Sequence, residues 1–428
     1  MSTTPQLSVD STTTSSIRWT RIAPTIFVFW FLGLLDKFAM GIIVTSKPFL
    51  HDMALSNQFA LIGLLTTVVV FAQAAGNFLF GSLTDVLGPR RSAILGSLVW
   101  AMSTAISALA PNLLVMLVAR TLLGLAEGYT WPVANSLTAR WFPLSERGRA
   151  KAVWLSATCI GPGVSGYIVG SCLTVFSWRG VFWLLTGISL LICLPLILAF
   201  LKDYPAKDRR VSREELALIE ADYHSNSPHQ SEVPALLPHN KMGTANFWLA
   251  TIAAIGISVS VWALAAWLPS YLANAKHLSL SLTKDYLLIA YFVALVANFV
   301  WGRIIDKTSR RALWGGLAFV VGGVLIFFAG ELRAAPSILL LIVMVSLLYG
   351  VAQPVTQDYI HKIAHPSRMG LESGVMQGVS NVFASIGPTL MGALIGVAHG
   401  GYEYAFLFLV LIFFISASAS FMLMRRGF

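Results

Sequence analysis

Asp36, Lys37, Arg120 and Glu127 each stand within a long apolar stretch, and they are the side chains of this sequence best equipped for charge chemistry at depth. A charge near the centre of a hydrocarbon layer costs roughly 2.5–3.5 kcal/mol on insertion scales, so each must face protein or a watered cavity. Arg120 and Glu127 are seven residues apart, a spacing that returns to nearly the same helix face about 10 Å along the axis. Both can therefore line one cavity at different depths. A guanidinium grips a carboxylate through two parallel hydrogen bonds, whereas an ammonium attracts it as a point charge. Arg120 and Lys37 thus suit an anionic solute, and Asp36 and Glu127 suit the loading and release of a proton as access changes. The competing role is a static network of four mutually neutralising charges, which apolar residues would fill at lower cost.

Polar residues with a weaker claim to solute contact are Gln73 and Asn77, Asn135, Gln353 and Gln357, and Asn381, with Gln73 and Asn381 foremost. Hydrogen bonding between helices is the competing role for each. The sequence has no metal-ligand cluster, nucleophile elbow or phosphate loop, so no enzyme activity, catalytic residue, metal or bound cofactor is expected. Cys159, Cys172 and Cys193 lie in apolar runs without paired spacing and read as small buried hydrophobes.

Charges at such depth must be carried by long apolar helices. Hydrophobic residues make up 56% of the 428 and charged residues 11%, proportions at which a water-soluble chain would not stay dissolved. Crossing the hydrocarbon core takes about 20 apolar residues. Twelve such runs are separated by charged, Pro or Gly breaks, over 22–45, 59–81, 93–110, 113–137, 150–175, 181–201, 247–272, 287–305, 312–330, 337–360, 372–396 and 404–424. The net charge of +10 sits in short clusters between these runs, a pattern of membrane topology and not of nucleic-acid binding. In the alternate loops that would face outside, the Lys and Arg residues are only Lys47, Arg179, Lys276, Lys284 and Arg333. The excess on the other side puts both termini in the cytoplasm, with the chain multi-pass in the plasma (inner) membrane bilayer. The polar stretch 1–20 is expected as a disordered cytoplasmic tail, and the protein as a monomer.

The longest polar interval, 202–246, divides the helices into bundles over 21–201 and 247–428. Within it, Ser212-Arg213-Glu214-Glu215 has capping-box spacing ahead of Leu216, Leu218 and Ile219, so a short cytoplasmic helix is one expectation and a disordered linker the other. Gly81, Asp85 and Arg147 recur 221 residues later as Gly302, Asp306 and Arg368, and arginine pairs follow each copy at Arg90-Arg91 and Arg310-Arg311. Three positions in one register argue for duplicated six-helix bundles with a solute path between them. The resulting expectation is an all-α integral membrane fold of two pseudo-symmetric bundles.

Gly81-Ser82-Leu83-Thr84-Asp85-Val86-Leu87-Gly88-Pro89-Arg90-Arg91 resembles the signature loop between helices two and three of the major facilitator superfamily. The resemblance runs from about residue 20 to the C-terminus. Within that superfamily the chain is similar to the anion:cation symporter family, which takes up organic anions such as sugar acids and aromatic carboxylates. That likeness rests on Asp36-Lys37, Arg120 with Glu127, Trp141-Phe142-Pro143, Glu146-Arg147-Gly148, and Trp267-Leu268-Pro269-Ser270-Tyr271-Leu272. The family usually carries Arg where Lys37 stands. The resemblance implies alternating access, proton-driven symport of a sugar acid, dicarboxylate or aromatic carboxylate, and a conformational latch at Gly81, Asp85 and Arg90. Gly161-Pro162, with Gly166 and Gly170, also resembles a motif of drug-efflux antiporters, so proton-coupled efflux of lipophilic or cationic compounds is the alternative. Close packing and a proline kink account for the same residues.

Overall fold

The computed structural model describes residues 16–225, 243–308, 310–363 and 369–428. Arg368 and the side chain of Asp306, two members of the sequence repeat, lie outside the described residues. Twelve helices are long and apolar enough to span a bilayer: α1 (Arg18–Ile43), α2 (Phe59–Leu87), α3 (Pro89–Leu109), α4 (Leu113–Trp141), α5 (Ser145–Val175), α6 (Trp178–Phe200), α7 (Ala245–Ala275), α8 (Leu280–Ile305), α9 (Arg311–Glu331), α10 (Ala334–Ile360), α11 (Glu372–Val397) and α12 (Glu403–Arg425). All twelve expected runs are present. Several helices extend past their apolar run: α2 continues to Leu87 and α5 starts at Ser145, because backbone hydrogen bonding continues a helix beyond the hydrocarbon layer.

Local chemistry sets the ends. Asn112 accepts from the Val115 N–H at the start of α4, and Thr244 and Ser279 accept from Phe247 and Leu282 at the starts of α7 and α8. Gly88, at φ +85°, makes the sharp corner between α2 and α3 that an L-side chain would resist, and Pro89 then opens α3. Ser212 Oγ accepts from the Glu215 N–H at 3.1 Å and starts a linker helix at Arg213–Ser225, which settles the linker in favour of helix over that segment. The Glu215 carboxylate reaches across to Arg18, whose guanidinium lies 2.9 Å from both Glu215 and Glu146. Arg18 to Thr20, read from sequence as tail, therefore belong to the first helix and are tied to the linker.

Helices α1–α6 pack together, as do α7–α12, and the two bundles meet along α2 with α11, α5 with α8, and α1 with α7. Hydrogen bonds that cross the seam between described residues tie the half remote from the termini and linker. Thr67 Oγ1 donates to the Ser385 carbonyl at 2.5 Å, Thr389 Oγ1 to Thr67 Oγ1 at 2.8 Å, and Lys284 Nζ to Ser171 Oγ at 2.9 Å. Gly63 and Gly392 carry no side chain where the Pro388 and Phe59 carbonyls press in, so α2 and α11 approach backbone to backbone. Toward the linker end, Gly81, Gly302, Gly374 and Gly378 have no neighbour within reach of an added Cβ. The bundles are tied together at the far end, and these glycines border open space at the linker end.

Candidate transport site

Two ion pairs join α1 to α4 in the interior of the first bundle. Arg120 Nη1 lies 3.3 Å from Asp36 Oδ1, and Lys37 Nζ lies 3.1 Å from Glu127 Oε2, with all four side chains buried. Adjacent residues on α1 point to different levels of α4, which is why Asp36 meets Arg120 and Lys37 meets Glu127, one face and two turns apart. Trp100 Nε1 donates to the second Asp36 oxygen at 2.6 Å. Its helix is braced from behind by Thr186 Oγ1 donating to Thr104 Oγ1 at 2.9 Å and Ser189 Oγ donating to the Ser97 carbonyl at 3.1 Å. From the other side, Ser165 Oγ on α5 donates to the Leu35 carbonyl at 2.6 Å, fixing α1 beside the acid pair.

The pairing is incomplete. Arg120 Nε and Glu127 Oε1 are buried without a hydrogen-bond partner. Glu127 Oε1 instead faces Gly33, the α1 position that leaves room beside it. The α-helix of α4 tightens into a turn right after Glu127, where the Gly128 and Tyr129 N–H groups reach the Leu125 and Ala126 carbonyls at 3.2 and 3.3 Å, before regular helix resumes at Thr130. Gly128 lies against Gly76 of α2 there. The corresponding stretch of α10, Leu348–Ala352, is a π-helical turn. Irregular turns of this kind recur at functional sites, because they free backbone groups and redirect side chains.

The second bundle contributes rings and hydroxyls. Phe38, next to Lys37, stacks on Trp262 of α7 with centroids 5.8 Å apart, and Tyr291 of α8 meets Tyr349 of α10 edge-on at 5.6 Å. The Trp267–Leu272 segment is spent on holding that bundle together. Trp267 Nε1 donates to the Pro388 carbonyl at 2.8 Å and the Tyr271 hydroxyl to the Ala329 carbonyl at 2.6 Å.

Of the sequence-nominated residues, Asp36, Lys37, Arg120 and Glu127 are brought together. Asn381 accepts from Gln377 Nε2 at 3.2 Å and lies one turn linker-ward of the Thr67–Ser385 closure; Gln73, half-buried on α2, flanks the same closure. Asp85 is exposed, and Gly81 borders open space. Arg90 works within its own bundle: its N–H donates to Asp203 at 2.9 Å and its guanidinium to the Leu198 carbonyl at 3.0 Å. Gly161 packs on Leu34, and Gly163 on Tyr291 and Leu287, so the Gly161-Pro162 turn seats α5 between α1 and α8. The three cysteines are buried and free. Sequence reasoning missed Trp100, although it is the single aromatic residue of α3 among small residues. The run Tyr129 to Trp131 after Glu127 offers an aromatic wall from sequence, with core packing as the competing role, but Trp30 and Trp154, which cluster with Trp131, were missed because the three come from different helices and share no spacing.

The model of the Major Facilitator Superfamily matches residues 29–388 and 288–427. A probable sulfoacetate transporter of Cupriavidus necator is 27% identical over 390 residues, covering 88% of this chain and 87% of that one. The hexuronate transporter of Bacillus subtilis is 26% identical over 394 residues, covering 90% of each. Among solved structures, the xylose transporter of E. coli in its inward-open conformation superposes with a TM-score of 0.73 at 15% identity, over 95% of both chains, a likeness that speaks to fold alone. Two bundles of six helices, a buried charge site inside the first of them and a family match over most of the length lead to one placement: this chain is a multi-pass membrane transporter that belongs to the Major Facilitator Superfamily.

Proposed function

We propose that the chain takes up a small organic anion together with protons, by alternating access, with the linker end in the cytoplasm and the present conformation facing inward. The observation that carries this reading is the doubled ion pair Arg120–Asp36 and Lys37–Glu127, buried yet short of hydrogen bonds at Arg120 Nε and Glu127 Oε1. An arriving carboxylate or sulfonate competes with Asp36 and Glu127 for their cations. A carboxylate that loses its cation is left as a lone buried charge, a state costing several kcal/mol, and a proton removes that cost. Anion binding and protonation are thereby linked through shared partners. The two relatives, named for sulfoacetate and hexuronate, support an organic anion as the solute class. Gln73 and Asn381 supply polar contacts from α2 and α11, while Gly81 and Asp85 close against the opposite bundle in the outward-facing state and Arg90 anchors their loop.

Purified protein in vesicles with an imposed proton gradient tests the reading against sugar acids, sulfoacetate, dicarboxylates and aromatic acids. Inward accumulation of one of these, abolished by a protonophore, is expected. Gradient-driven exchange of lipophilic cations with no acid uptake would instead establish the efflux alternative.

A further inference from the structure

Linker-ward of the paired charges lies a further cation that has no carboxylate partner among the described residues. Lys151 on α5 is half-buried, and among the described residues no acidic side chain pairs with it. Its Nζ stands 5.2 Å from the ring centre of Trp131. Trp131 is one turn beyond Glu127 on α4, and its ring lies 5.6 Å from Trp30 and from Trp154. Trp30 stands seven residues before Lys37, on the same face of α1, and its Nε1 is buried without a hydrogen-bond partner. On α5, Lys151 shares a face with Ser165, the residue that touches the Leu35 carbonyl of α1. The charged faces of α1 and α4 thus continue toward the open end into an indole cluster holding an unpaired ammonium and an unused N–H donor.

We propose that Lys151, Trp131 and Trp30 form a vestibular anion station, which holds the oxyanion head of a small organic acid between the central ion pairs and the linker-end opening. The proposal rests on the organic-anion reading above. One oxyanion meets both unmet demands, accepting from Trp30 Nε1 and neutralising Lys151. The half-exposed Trp131 face is available to the carbon skeleton of the solute. At the central site an anion must displace Asp36 or Glu127. At the vestibule there is no carboxylate to displace, so binding there is weaker, faster and independent of proton loading.

The test uses vesicles of controlled sidedness made of zwitterionic phospholipid, with glucuronate and sulfoacetate as probes. Lys151→Gln is expected to raise the half-saturating concentration on the linker face on the order of tenfold, the scale of one charge-assisted hydrogen bond. The far-face value should stay unchanged and accumulation should persist. Lys151→Arg should restore the linker-face value, and Trp131→Phe should shift it less in the same direction. Equilibrium binding to Arg120→Ala, with the central site removed, should leave a weak phase that Lys151→Gln abolishes. An unchanged linker-face value, an equal shift on both faces, or no residual phase in Arg120→Ala overturns the station and makes Lys151 a topological charge only. An effect that appears only with anionic phospholipid assigns the site to a lipid phosphate and overturns it too. Absence of binding of either acid to the unaltered protein would instead remove the organic-anion reading on which it rests.

Discussion

The two bundles share helix order and differ in what their fourth helices carry. In α4, Arg120 and Glu127 are buried and paired with α1; in α10 the positions 221 residues on are Leu341 and Leu348, equally buried and apolar. The irregularity survived where the charge did not, at Gly128–Tyr129 in one helix and Leu348–Ala352 in the other. The signature arginines diverge in the same spirit. Arg90 binds the end of α6 and Asp203, while Arg311 pairs with Asp358 of α10 at 2.7 Å. The two halves thus share a backbone irregularity at matching positions, while the buried ion pairs among the described residues that join α1 to α4 lie in one half. A single charged half is the cheaper design, since every buried ion pair carries a desolvation cost that its own Coulomb energy only partly offsets.

Removing the central cation breaks the comparison most severely. Arg120→Ala is expected to abolish anion binding at the central site and transport in every mode, leaving only the weak vestibular phase, and to lower stability by about 3–5 kcal/mol because Asp36 is left buried without its charge partner. Arg120→Lys should recover only part of the binding, since an ammonium cannot rebuild a bidentate grip. Binding in detergent together with thermal melting separates the two effects, and full recovery by Lys would replace the bidentate contact with a generic charge requirement.

Glu127→Gln should be next in size and should divide two transport modes. It keeps the shape of a protonated carboxyl and cannot titrate. Counterflow exchange of anion for anion is expected to persist, while accumulation driven by a proton gradient is lost. Accumulation with unaltered pH dependence in this variant would move the coupling role to Asp36.

Asp85→Asn addresses the latch and should slow turnover several-fold with affinity little changed, because it alters the balance of two states and not the contacts of the solute. A large drop in affinity with unaltered accessibility of both faces contradicts a latch. In the second bundle, Trp267→Phe removes the hydrogen bond to the Pro388 carbonyl and should cost about 1 kcal/mol of stability with near-normal affinity. An affinity loss comparable to that of Arg120→Ala would show that the apolar half shares the recognition. Smallest of all should be Lys37→Arg, expected to fold and transport, since a guanidinium can also reach Glu127 across the 3.1 Å pair. Failure of that variant would mean that the compact ammonium is itself required.

Much of this was legible in the amino-acid sequence because the membrane makes the code simple. Twelve apolar runs of spanning length, the register of Gly81 and Asp85 with Gly302 and Asp306, and the seven-residue spacing of Arg120 and Glu127 follow from hydrophobicity and helix geometry, which are local. Residue type and depth named Asp36, Lys37, Arg120 and Glu127 as a group, since charges are too costly in hydrocarbon to be there without a partner. Who partners whom was decided by tertiary structure. The crossing of α1 and α4 matched Asp36 to Arg120 and Lys37 to Glu127, and the packing of α3 added Trp100. Gathering Trp30, Trp131, Trp154 and Lys151 from three helices was likewise a matter of packing, and so was turning Arg90 onto its own bundle. Those contacts depend on the relative rotation and offset of helices far apart in the chain, and no spacing within one helix encodes them.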